Sequence, residues 1–164
     1  MAEIDSDANV DVYEAQPEEE IRVCLFSIGE DSYAIPVDLL TEIIVPQKIF
    51  PVPTTPSHVL GIINLRGNIV PVVDIRQTLS LPQQSGSAGQ IAVIKHGALT
   101  IGIVVDSVFE VTSVPMSSVL TIPADYGGQT GRNRSRFFKG IIQRETHLAA
   151  LLNIERITEE IALT

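Results

Sequence analysis

The stretch Gly61 to Asp74, GIINLRGNIVPVVD, decides how the rest of the chain is read. It is two short apolar runs about a Gly67-Asn68 pair, and Gly and Asn accept the positive φ that two-residue hairpin turns need. Ile62, Ile63 and Leu65 predict an outgoing strand; Ile69, Val70, Val72 and Val73 predict its return. Pro71 has no N–H to give a neighbouring strand, which predicts a sheet edge or a bulge at that point. Arg66 is the one charged side chain near the turn, and it is either a solvated loop charge or a placed contact.

The hairpin recurs. At an offset of 79 residues, Gly140-Ile141-Ile142-Gln143 lies over Gly61-Ile62-Ile63-Asn64, and Leu151-Leu152-Asn153-Ile154 over Val72-Val73-Asp74-Ile75. An upstream block repeats at an offset of 68: Gly29, Ile35, Val37, Asp38, Glu42 and Ile43 align with Gly97, Ile103, Val105, Asp106, Glu110 and Val111. Two ordered blocks point to one unit used twice, with 11 extra residues in the second copy. Such duplication governs the fold, so it is weighed before any single element.

Composition sets the class. The chain has 164 residues, 45% of them hydrophobic, at a mean hydropathy of +0.25, which is ample for a core. No run approaches the roughly 18 apolar residues of a membrane helix, and no secretory signal pattern opens the chain. Cys24, the one cysteine, sits in an apolar run and reads as a buried strand residue rather than a reactive thiol. A cytoplasmic setting is expected. The net charge of −9 is concentrated in residues 1–20, which hold eight acidic residues and no basic one, so the remainder carries only −1. That acidic stretch is expected to be a disordered tail, since it has too little apolar surface to offset its ordering entropy.

Along the chain, Ile21–Ile28 and Tyr33–Ile35 predict two strands, and Val37–Ile43 a helical turn or two running into a third. Pro46, Pro51, Pro53 and Pro56 forbid a helix in the connection to the hairpin. Ser80–Gly89, rich in Gln, Ser and Gly, predicts the joint between copies. The second copy supplies strands near Ile91–Lys95, Leu99–Val105, Asp106–Val114, Phe137–Gln143 and His147–Leu152, then a helix over Ile154–Leu163. Thr121–Ser135 predicts a surface loop that holds the inserted residues. About ten short strands with little helix predict an all-β chain of two small packed barrels, one per copy, sharing a third apolar layer. The boundaries are a first barrel over about 21–82 and a second over about 88–160.

Reactive chemistry is not written in this sequence. His58, His96 and His147 fall in different elements without metal-ligand spacing. There is no nucleophile elbow, dinucleotide fingerprint or phosphate loop. No enzyme activity, metal or cofactor is expected. The basic residues Arg132, Arg134 and Arg136 offer one alternative, a small-barrel nucleic-acid-binding protein, though the neutral fold and the lack of a stacking platform weigh against it. One polar pair remains. Glu42 closes the first block and Arg66 tips the hairpin. In the second copy Glu110 repeats Glu42, but Glu145 stands where Arg66 would be, so an ion pair is expected only in the first.

These residues resemble the CheW family of bacterial chemosensory adaptors. The resemblance is carried by Tyr33-Ala34-Ile35 with Glu42-Ile43, by Gly61-Ile62-Ile63-Asn64-Leu65-Arg66-Gly67-Asn68-Ile69-Val70-Pro71-Val72-Val73-Asp74, by Gly102-Ile103-Val104-Val105-Asp106 and by Gly140. It covers about residues 21–160. The family often has Asp where this chain has Asn153, and the Arg-containing insertion is less typical. The resemblance implies two packed five-stranded SH3-like β-barrels with a few short helices, and no catalysis. It implies as partners the cytoplasmic tip of a chemoreceptor (a methyl-accepting chemotaxis protein) and the regulatory domain of a CheA-type histidine kinase. There is no nucleic acid and no direct membrane insertion in that picture; the chain joins membrane-associated arrays through its partners. Leu40, Glu42, Ile43, Gly61, Asn64, Arg66 and Gly67 match the family's contact region, and Ile91, Ile101 and Gly102 are expected at the contacts of the second half.

Overall fold

A computed structural model describes residues 18–82, 89–123 and 134–163. The acidic residues 1–17, most of the expected joint and residues 124–133 of the expected loop lie outside the described residues. Among the described residues, ten strands run in order: β1 (Glu20–Ile28), β2 (Asp31–Pro36), β3 (Leu40–Ile44), β4 (Val59–Leu65), β5 (Asn68–Val73), β6 (Gln90–His96), β7 (Leu99–Val105), β8 (Ser107–Pro115), β9 (Phe138–Arg144) and β10 (His147–Leu152). Helix α1 (Ile154–Leu163) ends the described chain. A single 3-10 turn, Val37–Leu39, occupies the short helical stretch expected before β3, and Asp38 does not cap it.

The strands form two five-stranded sheets, in the orders β8-β1-β2-β10-β9 and β3-β6-β7-β5-β4. We call them barrel 1 and barrel 2. Each closes the same way. The chain beyond β3 crosses to pair Phe50 with Ile62 of β4, and the chain beyond β8 crosses to pair Leu120 with Ile141 of β9. The expected division, one barrel from each contiguous half, is not how the strands are apportioned. Barrel 1 takes β1 and β2 from the first copy and β8, β9 and β10 from the second. Barrel 2 takes β3, β4 and β5 from the first copy and β6 and β7 from the second. Each copy lends a hairpin to the other. Periodicity within a strand specifies its pleat, not its sheet, so this exchange has no local sequence signal.

The duplication itself is repeated to the residue. Leu40↔Ile94 and Glu42↔Val93 in barrel 2 answer Val108↔Phe26 and Glu110↔Leu25 in barrel 1, with a bulge at the same step. The parallel pair Val72↔Gly102 answers Leu151↔Ala34. Pro71 lies in β5, an interior strand rather than an edge. It is tolerated because pairing with β7 begins only at Val72.

Three apolar layers result. Val23, Leu25, Ala34, Val114, Ile142, Ala149 and Leu151 fill barrel 1, and Ile63, Val70, Val72, Ile91, Val93 and Val104 fill barrel 2. A third layer between the barrels takes residues from both, including Phe26, Ile35, Val73, Ile103 and Leu152. Tyr33 lies there between Phe26 and Phe138, with ring centroids 6.0 and 6.2 Å away. Helix α1 seals this layer with Ile154 and Ile157, and burying each stabilises the fold by about 1.5–3 kcal/mol. Asn153 starts the helix, its Oδ1 accepting the Arg156 N–H at 3.2 Å.

Candidate functional site

The hairpin between β4 and β5 turns on Arg66 and Gly67, not on Gly67 and Asn68 as the sequence predicts, because Leu65 pairs with Asn68. Their φ values of 53° and 87° are those of a type I′ turn, whose twist matches the flanking strands. Asn68 is therefore a strand residue, and Arg66 takes the position that a small residue usually fills. Asn64 supports the strained tip by accepting the Gly67 N–H at 2.8 Å.

Arg66 reaches across barrel 2 to Glu42 on the opposite edge strand. Its Nη1 donates to Oε2 at 2.5 Å and its Nη2 to Oε1 at 2.8 Å, a two-pronged pair. A bulge between Leu40 and Glu42 sets up this end of β3. Leu40 packs on the shared layer and Ile44 into the barrel, although a regular strand would put both on one face. The pair's hydrogen bonds hold the Glu42 carboxyl below the usual carboxylate range and raise Arg66 above its ordinary value. The Arg66 side chain is still 71% exposed, so the fixed guanidinium is presented to the outside.

Around the pair lies apolar surface. Ile43 is half-buried, Val45 exposed, and Ile69 exposed at 62%. Ile69, Pro71 and Val73 share one face of β5, and Val73 belongs to the layer between the barrels. That row runs from the exposed hairpin into the apolar layer where the barrels meet. Ile69 had no flag in the sequence beyond its alternation with Val70.

The other predicted residues fall elsewhere. Ile91 is fully buried inside barrel 2, Ile101 is buried in the shared layer, and Gly102 is buried with no room for a Cβ beside Ile91. Gly61 is buried too, since a Cβ there would collide with the Phe50 carbonyl oxygen. These four shape the barrel beneath the surface and offer no side chain to a partner. Leu40, Glu42, Ile43, Asn64, Arg66 and Gly67 remain as the outer set.

Barrel 1 has its own pair, against expectation. Arg144 donates to Glu110 at 2.6 Å. The arginine stands one residue before Glu145, the position matching Arg66, and it reaches Glu110 from the end of β9 rather than from the turn. Of the basic loop, Arg132 lies outside the described residues, and Arg136 pairs with Glu160 at 2.9 Å and lies over the Phe137 ring. Cys24 is buried, and burial pushes its thiol up. Among the described residues, no three His, Cys, Asp or Glu side chains are placed to hold a metal, and no helix is long and apolar enough to cross a membrane.

A family model of the CheW-like domain matches residues 22–162. The chain belongs to the CheW-like family. Relatives include the chemotaxis protein CheW of Thermotoga maritima, 31% identical over 88% of this chain and 91% of its own. The chemotaxis protein CheW of Helicobacter pylori is 28% identical over 87% and 84%. Protein FrzA of Myxococcus xanthus is 27% identical over 89% of each. A crystal structure of a CheW scaffolding protein from Thermoanaerobacter tengcongensis shares the fold, with a TM-score of 0.74, 24% identity and coverage of 87% of this chain and 89% of that one. This CheW-like chain is an adaptor of chemotaxis-type signalling and not an enzyme, and the nucleic-acid reading is not favoured.

Proposed function

We propose that this CheW-like adaptor couples a chemoreceptor to a CheA-type histidine kinase at membrane-associated arrays, and that the Glu42–Arg66 end of barrel 2 is its main contact. The observation that carries this reading is the fixed but exposed guanidinium of Arg66, with exposed Ile69 on the same hairpin and half-buried Ile43 and exposed Val45 following Glu42 in the chain. Exposed apolar side chains together with one pre-oriented charge are suited to docking another barrel in a single orientation. The groove between the barrels, entered beside Leu40, accepts the receptor's helical tip through its apolar face. Binding two partners at once lets receptor packing bias the kinase without chemistry in the adaptor.

The test is a reconstituted assay with receptor fragments, kinase and adaptor. Arg66→Ala is expected to lower receptor-dependent kinase activity while circular dichroism and melting stay near the parent's. Normal coupling by this variant would remove Arg66 from the contact.

A further inference from the structure

Asp106 is the single residue between β7 of barrel 2 and β8 of barrel 1. Its two carboxylate oxygens take different partners. Oδ2 accepts the N–H of Gly29, in the β1–β2 turn of barrel 1, at 2.6 Å. Oδ1 accepts from Nη2 of Arg76, just past the end of β5 in barrel 2, at 2.6 Å. Arg76 is only 6% exposed, and its other arm lies 3.4 Å from Asp74. One carboxylate thus holds both barrels, through a buried guanidinium on one side and a backbone N–H on the other.

Two further observations give this cluster a meaning beyond stability. First, a cleft of about 610 Å³ opens beside it, lined by Gly29 and Asp31 from barrel 1 and by Arg76 and Leu81 from the chain leaving barrel 2. Close-packed interiors resist rearrangement, whereas open space between two bodies leaves room for one to tilt against the other. Second, the duplication does not repeat the cluster. The mate of Asp106 is Asp38, which is exposed, and the mate of Arg76 is Glu155, a carboxylate that cannot pair with another. The two junctions of an otherwise doubled molecule are therefore unlike.

We propose that Arg76, Asp106 and Gly29 form a one-sided latch that fixes the angle between the two barrels, and that releasing it lets them pivot about the shared apolar layer. The Arg76 guanidinium is buried, whereas the Asp106 carboxylate is about a third exposed and faces the cleft. Losing the Asp106 carboxylate removes the closer of the two counter-charges of a buried guanidinium, leaving Asp74 at 3.4 Å, which is costly to the latched arrangement. These three are positioning residues. Their effect on signalling rests on the reading of the groove given above, but the barrel angle does not.

The experiment measures that angle directly. Nitroxides are placed on exposed strand positions of each barrel with Lys95→Cys and Lys139→Cys, in a Cys24→Ala background, and their separation is read by pulsed dipolar spectroscopy. Asp106→Ala is expected to broaden or shift the distance distribution, and Asp106→Asn, which keeps the acceptor for Gly29 but loses the charge for Arg76, to do so partially. Asp38→Ala should leave it at the parent's. If Asp106→Ala proves too unstable to fold, Asp106→Asn decides alone. A distribution unchanged by the Asp106 variants, even with a lowered melting temperature, overturns the latch and leaves a merely structural cluster. Equal broadening by Asp38→Ala overturns its one-sidedness. Receptor-fragment binding by the same variants reports separately on the groove.

Discussion

Arg144 meets Glu110 across the edge strands of barrel 1, at the place Arg66 and Glu42 occupy in barrel 2. Both arginines tie the last strand edge of their sheet to the first, so the contact belongs to barrel closure as well as to any partner. Arg144 and Glu110 are each more than a third exposed. A double-mutant cycle on this pair is therefore expected to give a coupling of only about 0.2–1 kcal/mol. A coupling well above that range would mean that the pair is more enclosed than its geometry shows.

Glu42 gives a pH signature. The hydrogen bonds from Arg66 favour its ionised form in the folded state, so its pKa is lowered on folding. Such a group stabilises the fold above its ordinary pKa of about 4.3, and that contribution disappears as pH falls through the lower folded value. Melting curves of the parent and Glu42→Gln should therefore differ at neutral pH and converge in acid. A gap that is constant with pH would show that the carboxylate's charge is not what Arg66 holds.

The duplicated offsets, the ten strands and the Glu42–Arg66 pair are legible in the sequence because each is carried by local pattern or by an in-register match. Three features are not. The exchange of hairpins between barrels depends on long-range pairing such as Leu151 with Ala34, which no strand's own alternation encodes. The turn is displaced by one residue because Gly67 satisfies the positive φ of either register, and the choice is made by the Asn64 cap and the Arg66–Glu42 pair. Burial of Ile91 and Ile101 is settled by which layer each strand faces, and that follows only once the sheets are assembled.

Gly61 and Gly140 are mates in the duplication, yet they should not tolerate alanine equally. At Gly61, φ is 148° and the new Cβ would collide with the carbonyl oxygen of Phe50, which bridges to Ile62. Backbone there cannot retreat without breaking the bridge that closes barrel 2. At Gly140 the nearest atom is a side-chain methyl of Val119, and the matching carbonyl oxygen, that of Leu120, stands farther off at 3.0 Å, so the clash with backbone is milder. Gly61→Ala is expected to cost about 3 kcal/mol or more, and Gly140→Ala about 1–2 kcal/mol. In a chain of this size each kcal/mol lowers the melting temperature by about 2–4 °C, so calorimetry separates the two. The reverse order would contradict the closure described for the barrels.

Burial also governs Cys24. Its thiol is enclosed in β1, and desolvation pushes its pKa up, so little thiolate forms near neutral pH. An aromatic disulfide reagent is expected to react slowly with the native protein and at once after denaturation. Rapid labelling of the native form would place the thiol at the surface and displace β1 from the barrel interior.

Ile69 and Leu148 are the exposed outer residues of matching rows, 62% and 58% exposed, each leading into the shared layer. Because neither is buried, Ile69→Ser and Leu148→Ser should each change stability by no more than about 0.5 kcal/mol. Their functional effects should diverge. Ile69 lies beside the fixed Arg66, whereas Leu148 lies near Glu145, which offers the opposite charge at the matching tip. If the Arg66 end of barrel 2 docks the kinase regulatory domain, Ile69→Ser should weaken that binding about tenfold, as loss of a central apolar anchor does, and Leu148→Ser should leave it near the parent's. Titration calorimetry with the isolated kinase regulatory domain distinguishes the two. Equal losses would assign the contact to both barrels, and a loss confined to Leu148→Ser would move it to barrel 1.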